Sequence, residues 1–407
     1  MSDSTPGDAG PDPFTAVLRD ERHRIYAELA AEGPVHRITT PTGAQAWLVT
    51  DYAEAKALLA DPRLVKGGWE FGAYAAELPE DVARGIHTSM LNSDGPTHTR
   101  LRKLVLSAFT RRRVEKLTPT IRRLTDDLLT VAAAEGEGAK PVDLISALAY
   151  PLPLGVICEL IGIPDEDRTA FRAWTTPTVS PGIHGFEAFR EAVTSLLAFS
   201  RELIAKRRND PQDDLLSDLI AARDEGASLT EDELTSMIFL LVIAGHETTV
   251  NLIGNGVRAL LARPDQLALL RERPELLDPA IEEFLRHDGP VQTTLPYRTL
   301  EAVDVGGVKV PAGAVVLVAL MAANRDPEQF PGGTALDITR DTRSHLGFGY
   351  GIHYCVGAPL ARVEARIVFR ALLDRFPGLR PAVPEEGLTR TPSMIMNGLT
   401  VLPVHLR

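Results

Sequence analysis

The residues of this chain best suited to chemistry surround Cys355. Phe348 to Gly357 reads Phe-Gly-Tyr-Gly-Ile-His-Tyr-Cys-Val-Gly and runs into a helix beginning near Ala358 and Pro359. Gly349, Gly351 and Gly357 let the backbone approach a flat partner closely and take φ values that other residues avoid. Pro359 suits the first turn of a helix, so the sulfur sits just before a helix N-terminus. That position favours the thiolate, the form that acts as nucleophile or metal ligand. No convincing base stands beside Cys355, which sets nucleophilic catalysis behind metal ligation. Cys158 lies in the apolar run Leu154 to Ile163, without glycine clearance or charged neighbours, and reads as a small buried hydrophobe.

A second group is Ala244-Gly245-His246-Glu247-Thr248-Thr249. Gly245 costs ~1 kcal/mol inside a helix, so packing or function must hold it there. A carboxylate and a hydroxyl in succession can relay protons into a dry pocket. The plainer alternative has Thr248 bonded to the carbonyl one turn back and Glu247 solvated. Two further pairs share helix faces: His98 with Arg102, four apart, and Glu283 with Arg286, one turn apart.

Helices must position most of these groups. Apolar periodicity predicts amphipathic helices over 13–31, 51–60, 97–109, 112–134 and 142–163. The longest helix is expected from Thr230 to about Ala262, opened by a Thr230/Glu233 capping box and stopped by Pro264; it would cross the whole domain and wall a central cavity. Between Leu64 and Asp94 the pattern fails, and a long surface loop is expected there. A second break over 177–185 separates two helices that could form a lid. Short strands are expected at 35–39, 46–49, 303–310, 315–320 and 399–404, a small β region beside a helical body.

The 407 residues contain no internal linker, so a single domain is expected over 14–407 after a disordered tail of 1–13. The tail lacks the basic start and apolar middle of a signal peptide. The strongly apolar run Met237 to Ala244 is far short of the ~20 residues that span a bilayer, so no membrane segment is expected. Two cysteines leave no disulfide framework and fit a reducing cytoplasm, and a net charge of −12 argues against nucleic-acid binding.

The cysteine loop resembles the haem-binding loop of the cytochrome P-450 monooxygenases, Phe-Gly-x-Gly-x-His-x-Cys-x-Gly, and matches every fixed position. In order and spacing the elements resemble that family's fold from about Asp12 to Arg407: mainly α with a small β region and a long central helix. The resemblance implies haem b with Cys355 as iron ligand, Phe348 packed beside the sulfur, and Gly357 and Ala244 against the cofactor. It implies that Thr248 hydrogen-bonds dioxygen while Glu247 helps bring in protons; His246 and Thr249 are given no role by the match and read as structural. His98, Arg102, Arg298 and His353 match contacts to the haem propionates. Glu283 and Arg286 match a structural Glu-x-x-Arg that supports the haem loop. Its usual third member, an Arg before Leu-Asp, is Ala335 here, leaving Arg340 or Arg343 to compensate.

The chain carries no flavin or nicotinamide fingerprint, so the resemblance further implies a ferredoxin and its reductase as electron donors. Arg362, Lys103 and Arg111 to Arg113 form a candidate docking surface for an acidic ferredoxin, or simply a solvated face. The pattern looks closest to actinobacterial members that tailor macrolides and related natural products. Pocket candidates are Met90, Leu91, Leu240, Ile243, Ala244, Val291, Thr294, Leu295 and Met394 to Met396, including Ile395. Such a lining suits a large lipophilic substrate taken with O2. A non-catalytic haem-thiolate sensor and a peroxide-dependent peroxygenase are the alternatives, and the Glu247–Thr248 pair disfavours both.

Overall fold

The computed structural model describes residues 12–41, 43–66, 78–179, 181–224 and 229–407. Of the tail 1–13, the first eleven residues lie outside these. Asp12 accepts the Phe14 N–H and the Thr15 hydroxyl, both at 2.8 Å, which fixes the first described turn.

Helices form where apolar periodicity meets a start or stop signal. The central helix is Glu231–Leu261: Glu233 N–H donates to Thr230 Oγ1 at 3.1 Å, Thr230 N–H donates back to the Glu233 carboxylate at 2.8 Å, and Pro264 opens the next helix, Pro264–Glu272. Its 31 residues reach about 46 Å at 1.5 Å per residue. By length and composition this helix could cross a bilayer, contrary to the expectation for the chain, but 67% of its apolar window is buried inside the protein. It is the core of the helical body, packed against Glu80–His87, Pro151–Ile161, Leu277–His287 and Ala358–Arg375.

Several boundaries differ from expectation for local reasons. The first helix starts only at Arg19, because Leu18 makes a bridge to Thr389. The stretch 142–163 is three elements rather than one helix: Val142–Asp143 is a strand, Ile145–Ala149 a π-helical turn, and Pro151 opens the helix Pro151–Ile161. In the stretch read as a loop, 67–77 lie outside the described residues, and the helix Glu80–His87 follows, burying Val82 and Ile86. The break expected over 177–185 narrows, since Pro177 lies within Arg168–Val179 and only Gly185, at φ 82°, departs from helical geometry within Pro181–Asn209.

The strands are β1 (Val35–Thr39), β2 (Gln45–Val49), β3 (Leu64–Val65), β4 (Val142–Asp143), β5 (Tyr297–Thr299), β6 (Val303–Val305), β7 (Val308–Val310), β8 (Val315–Val318), β9 (Arg380–Pro381) and β10 (Pro403–His405). One sheet has the order β1-β2-β8-β5-β3, with β2 and β8 parallel. β6 and β7 form a hairpin across Gly306 and Gly307, whose φ of 56° and 83° suit glycine. A buried network joins distant parts of the chain: Asp288 accepts from Arg258 Nη2 at 2.9 Å, Arg390 Nη2 at 2.5 Å and Asn397 Nδ2 at 2.8 Å. Burial pushes that carboxyl up, but the two guanidiniums outweigh it and hold Asp288 well below the usual carboxylate range.

Candidate functional site

The cysteine loop takes its shape from backbone conformations that need glycine. Gly349 and Gly351 have φ of 73° and 72°, and a Cβ on Gly351 would stand 2.3 Å from the Leu59 carbonyl oxygen. Cys355 N–H donates to Phe348 O at 3.0 Å, and the helix Ala358–Arg375 begins three residues later with Pro359 in its first turn. The thiol has accessible surface, yet protein surrounds it closely. Burial raises its pKa and outweighs the Gly357 and Ala358 backbone N–H groups and the Arg102 and Arg362 guanidiniums that favour the thiolate. The helix N-terminus therefore does less than expected: Cys355 alone is a thiol, and a cation at the sulfur would deprotonate it. Phe348 lies under Arg362, whose Cζ is 4.5 Å from the ring centroid, and Arg362 is held by a bidentate bond to Glu282 at 2.6 and 2.8 Å.

The central helix leaves one face uncovered halfway along. Leu240, Ile243, Glu247 and Thr248 are half-buried and Ala244 is exposed, a spacing of three and four that marks a single helix stripe. The opposite face is packed so tightly that a Cβ on Gly245 would stand 2.9 Å from Ile157 Cδ1, which accounts for that glycine. Thr248 Oγ1 donates to Ala244 O at 2.8 Å, so half of the plainer alternative holds. Its other half fails, because burial pushes the Glu247 carboxyl up to about 7. His246 is fully buried, edge-on to Tyr150 with ring centroids 5.2 Å apart, and burial brings its pKa down to about 4.

Beside these lies a cluster of buried nitrogen donors. The His98 and His353 rings are 4.5 Å apart, and the Nε2 atom of each is buried without a hydrogen-bond partner among the described residues. Arg102 turns toward the cysteine loop, where Nη2 donates to Tyr354 O at 2.6 Å. Arg298 is exposed, with Nε 3.4 Å from Gly313 O. Sequence reasoning missed Lys66, a buried lysine whose Nζ stands 3.3 Å from the Tyr297 ring centroid. Its position beside Gly67 and Gly68 reads as a loop, and no signal in the sequence marks it as buried.

No group of three or more His, Cys, Asp or Glu side chains among the described residues could hold a metal ion. A lone thiol is too few ligands for a bare ion, so a metal at Cys355 must arrive already coordinated by a cofactor. The glycine-built loop, the uncovered stripe and the orphaned imidazole donors fit a flat macrocycle that carries its own anionic groups. Residues 182–397 match the model of the family described as Cytochrome P450. The chain belongs to the cytochrome P450 family.

Among its relatives are cytochrome P450 107B1 of Saccharopolyspora erythraea, 48% identical over 96% of both chains, and 6-deoxyerythronolide B hydroxylase of the same organism, 43% identical over 97% of this chain and 98% of that one. The solved structure of the tirandamycin C-bound P450 monooxygenase TamI superposes with a TM-score of 0.86 at 43% identity, covering 95% of this chain and 97% of that chain. This protein is thus a P450 monooxygenase with haem as its cofactor, in a P450 fold.

In this P450 the Glu283–Arg286 pair is fully formed and buried. Arg286 Nε and Nη2 meet the Glu283 carboxylate at 2.7 and 2.8 Å, while Nη1 donates to Asn324 O at 2.8 Å and Gly333 O at 2.9 Å. Asn324 Oδ1 accepts the Leu346 N–H at 2.7 Å, which connects the pair to the start of the cysteine loop. Arg340 takes up the third position, with Nε 3.5 Å from Glu283 Oε1, and the Asp337 N–H donates to the same oxygen at 2.9 Å. Arg343 is exposed and paired with Asp341.

Of the pocket candidates, Val291 is brought against Met394 to Met396, with Gln292 and Thr293 making further bonds to the same segment. Val291 bridges to Met396, Gln292 N–H donates to Ile395 O at 2.8 Å, and Thr293 Oγ1 donates to Met394 O at 2.7 Å. Thr294 is tied to β8, where its Oγ1 accepts the Val318 N–H at 3.2 Å. Leu91 and Leu295 are half-buried, whereas Met90 is only 7% exposed and belongs to the packed core.

Proposed function

We propose that this P450, as one domain over 14–407, oxidises a large lipophilic natural product of the macrolide class by hydroxylation or epoxidation, drawing electrons from a ferredoxin and its reductase in the cytoplasm. The observation that carries this reading is the uncovered stripe of the central helix, where apolar Leu240, Ile243 and Ala244 adjoin Glu247 and Thr248. The relative named 6-deoxyerythronolide B hydroxylase supports the substrate class. The separate thiols of Cys158 and Cys355 suit a reducing compartment.

Haem held at Cys355 supplies the oxygen and one-electron chemistry that side chains lack. His98, His353, Arg102 and Arg298 would hold its propionates, Phe348 would shield the sulfur, and Gly357 and Ala244 would make room for the ring. Overall, the substrate, O2, two protons and two electrons give oxidised product and water. Glu247 keeps a proton near neutral pH because burial disfavours its charge. It passes that proton through the Thr248 hydroxyl, which must release Ala244 O to donate onward. Glu247→Gln should lower product formation by ~10²-fold, and wild-type turnover should fall as pH rises through about 7, where the carboxyl loses its proton. Thr248→Ala should keep the haem and consume O2 while releasing peroxide instead of product. Tight coupling in that variant, measured as product formed per NADPH consumed, would remove Thr248 from the relay.

The electron-donor surface combines apolar and basic groups. Leu106, Tyr350, Ile352 and Tyr354 are exposed, with Lys56 5.2 Å from the Tyr350 ring centroid. Arg111 is paired with Glu115, Arg113 with Asp218, and Arg362 with Glu282, while Lys103 and Arg112 are exposed without an ion pair among the described residues. Reversing Lys103 and Arg112 to Glu should slow reduction by an acidic ferredoxin roughly tenfold at low salt and flatten its salt dependence. Stopped-flow reduction that is unchanged would move the docking surface elsewhere. Reversal of Arg362 would break its Glu282 bridge as well, so it does not isolate docking. For the pocket, Ile243→Ala or Leu295→Ala should change the ratio of regioisomeric products, read by chromatography with a turned-over macrolide; constant ratios would take both residues out of the pocket.

A further inference from the structure

We infer that Lys66 is a cofactor-binding residue, its buried ammonium taking a carboxylate of the haem beside His98 and His353. The inference rests on the haem reading above. Lys66 is only 6% exposed. Of its three donors, one goes to Leu295 O at 2.8 Å and one faces the Tyr297 ring, whose centroid is 3.3 Å away. The third has no acceptor among the described residues. The Lys66 backbone N–H donates to Asp94 Oδ2 at 2.8 Å, and Asp94 Oδ1 lies 3.7 Å from His353 Nε2. The His353 ring is 6.3 Å from Tyr297 and 4.5 Å from His98.

Lys66, His98 and His353 therefore share one buried region with a surplus of donors. Asp94 is the carboxylate that these contacts provide, and it is already engaged by the Lys66 backbone. Desolvation brings the Lys66 pKa down to about 7, so the protein by itself does not keep the ammonium fully charged at neutral pH. An anion with two oxygens would restore the charge and satisfy both the ammonium and the orphaned imidazole nitrogens. The haem brings two such groups.

The test compares wild-type, Lys66→Met and Lys66→Arg holoenzymes by the rate of haem transfer to apomyoglobin and by reduction potential. The Met variant should lose haem roughly tenfold faster and show a lower potential, since a cation near the iron is gone, while Arg stays close to wild type. After reconstitution with haem dimethyl ester, which has no carboxylates, the wild-type and Met proteins should lose the cofactor at equal rates. A Met variant that loses haem and its ester faster by the same factor would make Lys66 a clamp on Leu295 O and overturn the proposal. Unchanged haem retention and potential would overturn it too, including the case where Lys66→Met weakens only the spin-state response to a long-chain fatty acid, which would assign the ammonium to a substrate carboxylate. Wild-type protein that binds no haem would remove the P450 reading and this inference together.

Discussion

Cys355→Ser should abolish the red-shifted Soret band in the carbon monoxide difference spectrum of the dithionite-reduced protein, and turnover with it. A serine oxygen cannot supply the electron density that a thiolate gives the iron. The loop itself should survive, because its shape is set by Gly349, Gly351 and the Cys355 N–H bond to Phe348 O, none of which involves the sulfur. The variant should therefore remain folded by circular dichroism. Cys158→Ala is the internal control: its side chain is buried in the helix Pro151–Ile161, so the change should lower stability and leave the spectrum intact. A thiolate-type spectrum that persists in Cys355→Ser, or that disappears in Cys158→Ala, would place the iron ligand elsewhere.

Arg286→Ala should cost ~3–5 kcal/mol, because it leaves the Glu283 carboxylate buried with little compensation. Both side chains are fully buried, and Arg286 spends its donors on Glu283, Asn324 O and Gly333 O. Lysine has no planar fork to serve these acceptors, so Arg286→Lys should recover little. The loss should also reach the cofactor, since Asn324 joins Arg286 to Leu346 ahead of the cysteine loop. Arg340→Ala should cost much less, about 1 kcal/mol, because Glu283 keeps Arg286 and the Asp337 N–H. Urea midpoints and haem content per polypeptide measure both effects. Equal losses in the two variants would mean that Arg340, not Arg286, is the principal counter-charge to Glu283.

Local signals carried far where the chain's own neighbours decide the outcome. The Thr230/Glu233 box and Pro264 bounded the central helix to within a residue, because caps act through backbone groups a turn apart. The same reasoning joined 142–163 into one helix, since Val142 becomes a strand only by pairing with Val404 at the far end of the chain. Helix Glu80–His87 was missed because its buried branched apolar side chains, Val82 and Ile86, are too few to show a period in sequence. The doubt raised by Ala335 was resolved by Arg340, which no spacing rule could choose over Arg343 because both lie in an irregular segment.

By itself the sequence determined the haem-thiolate loop, the acid–hydroxyl pair on a long helix and hence the P450 family, because these depend on residue type at short spacing. Only the tertiary structure decided the electrostatics. Burial, not helix-end position, governs the Cys355 thiol, and it lifts Glu247 to about 7. Lys66 became a buried cation, and Asp288 a hub for Arg258 and Arg390, through contacts made across most of the chain. The reason is physical: a side chain's charge state depends on the water it loses and the partners it meets, and both are set by segments that are neighbours only after folding.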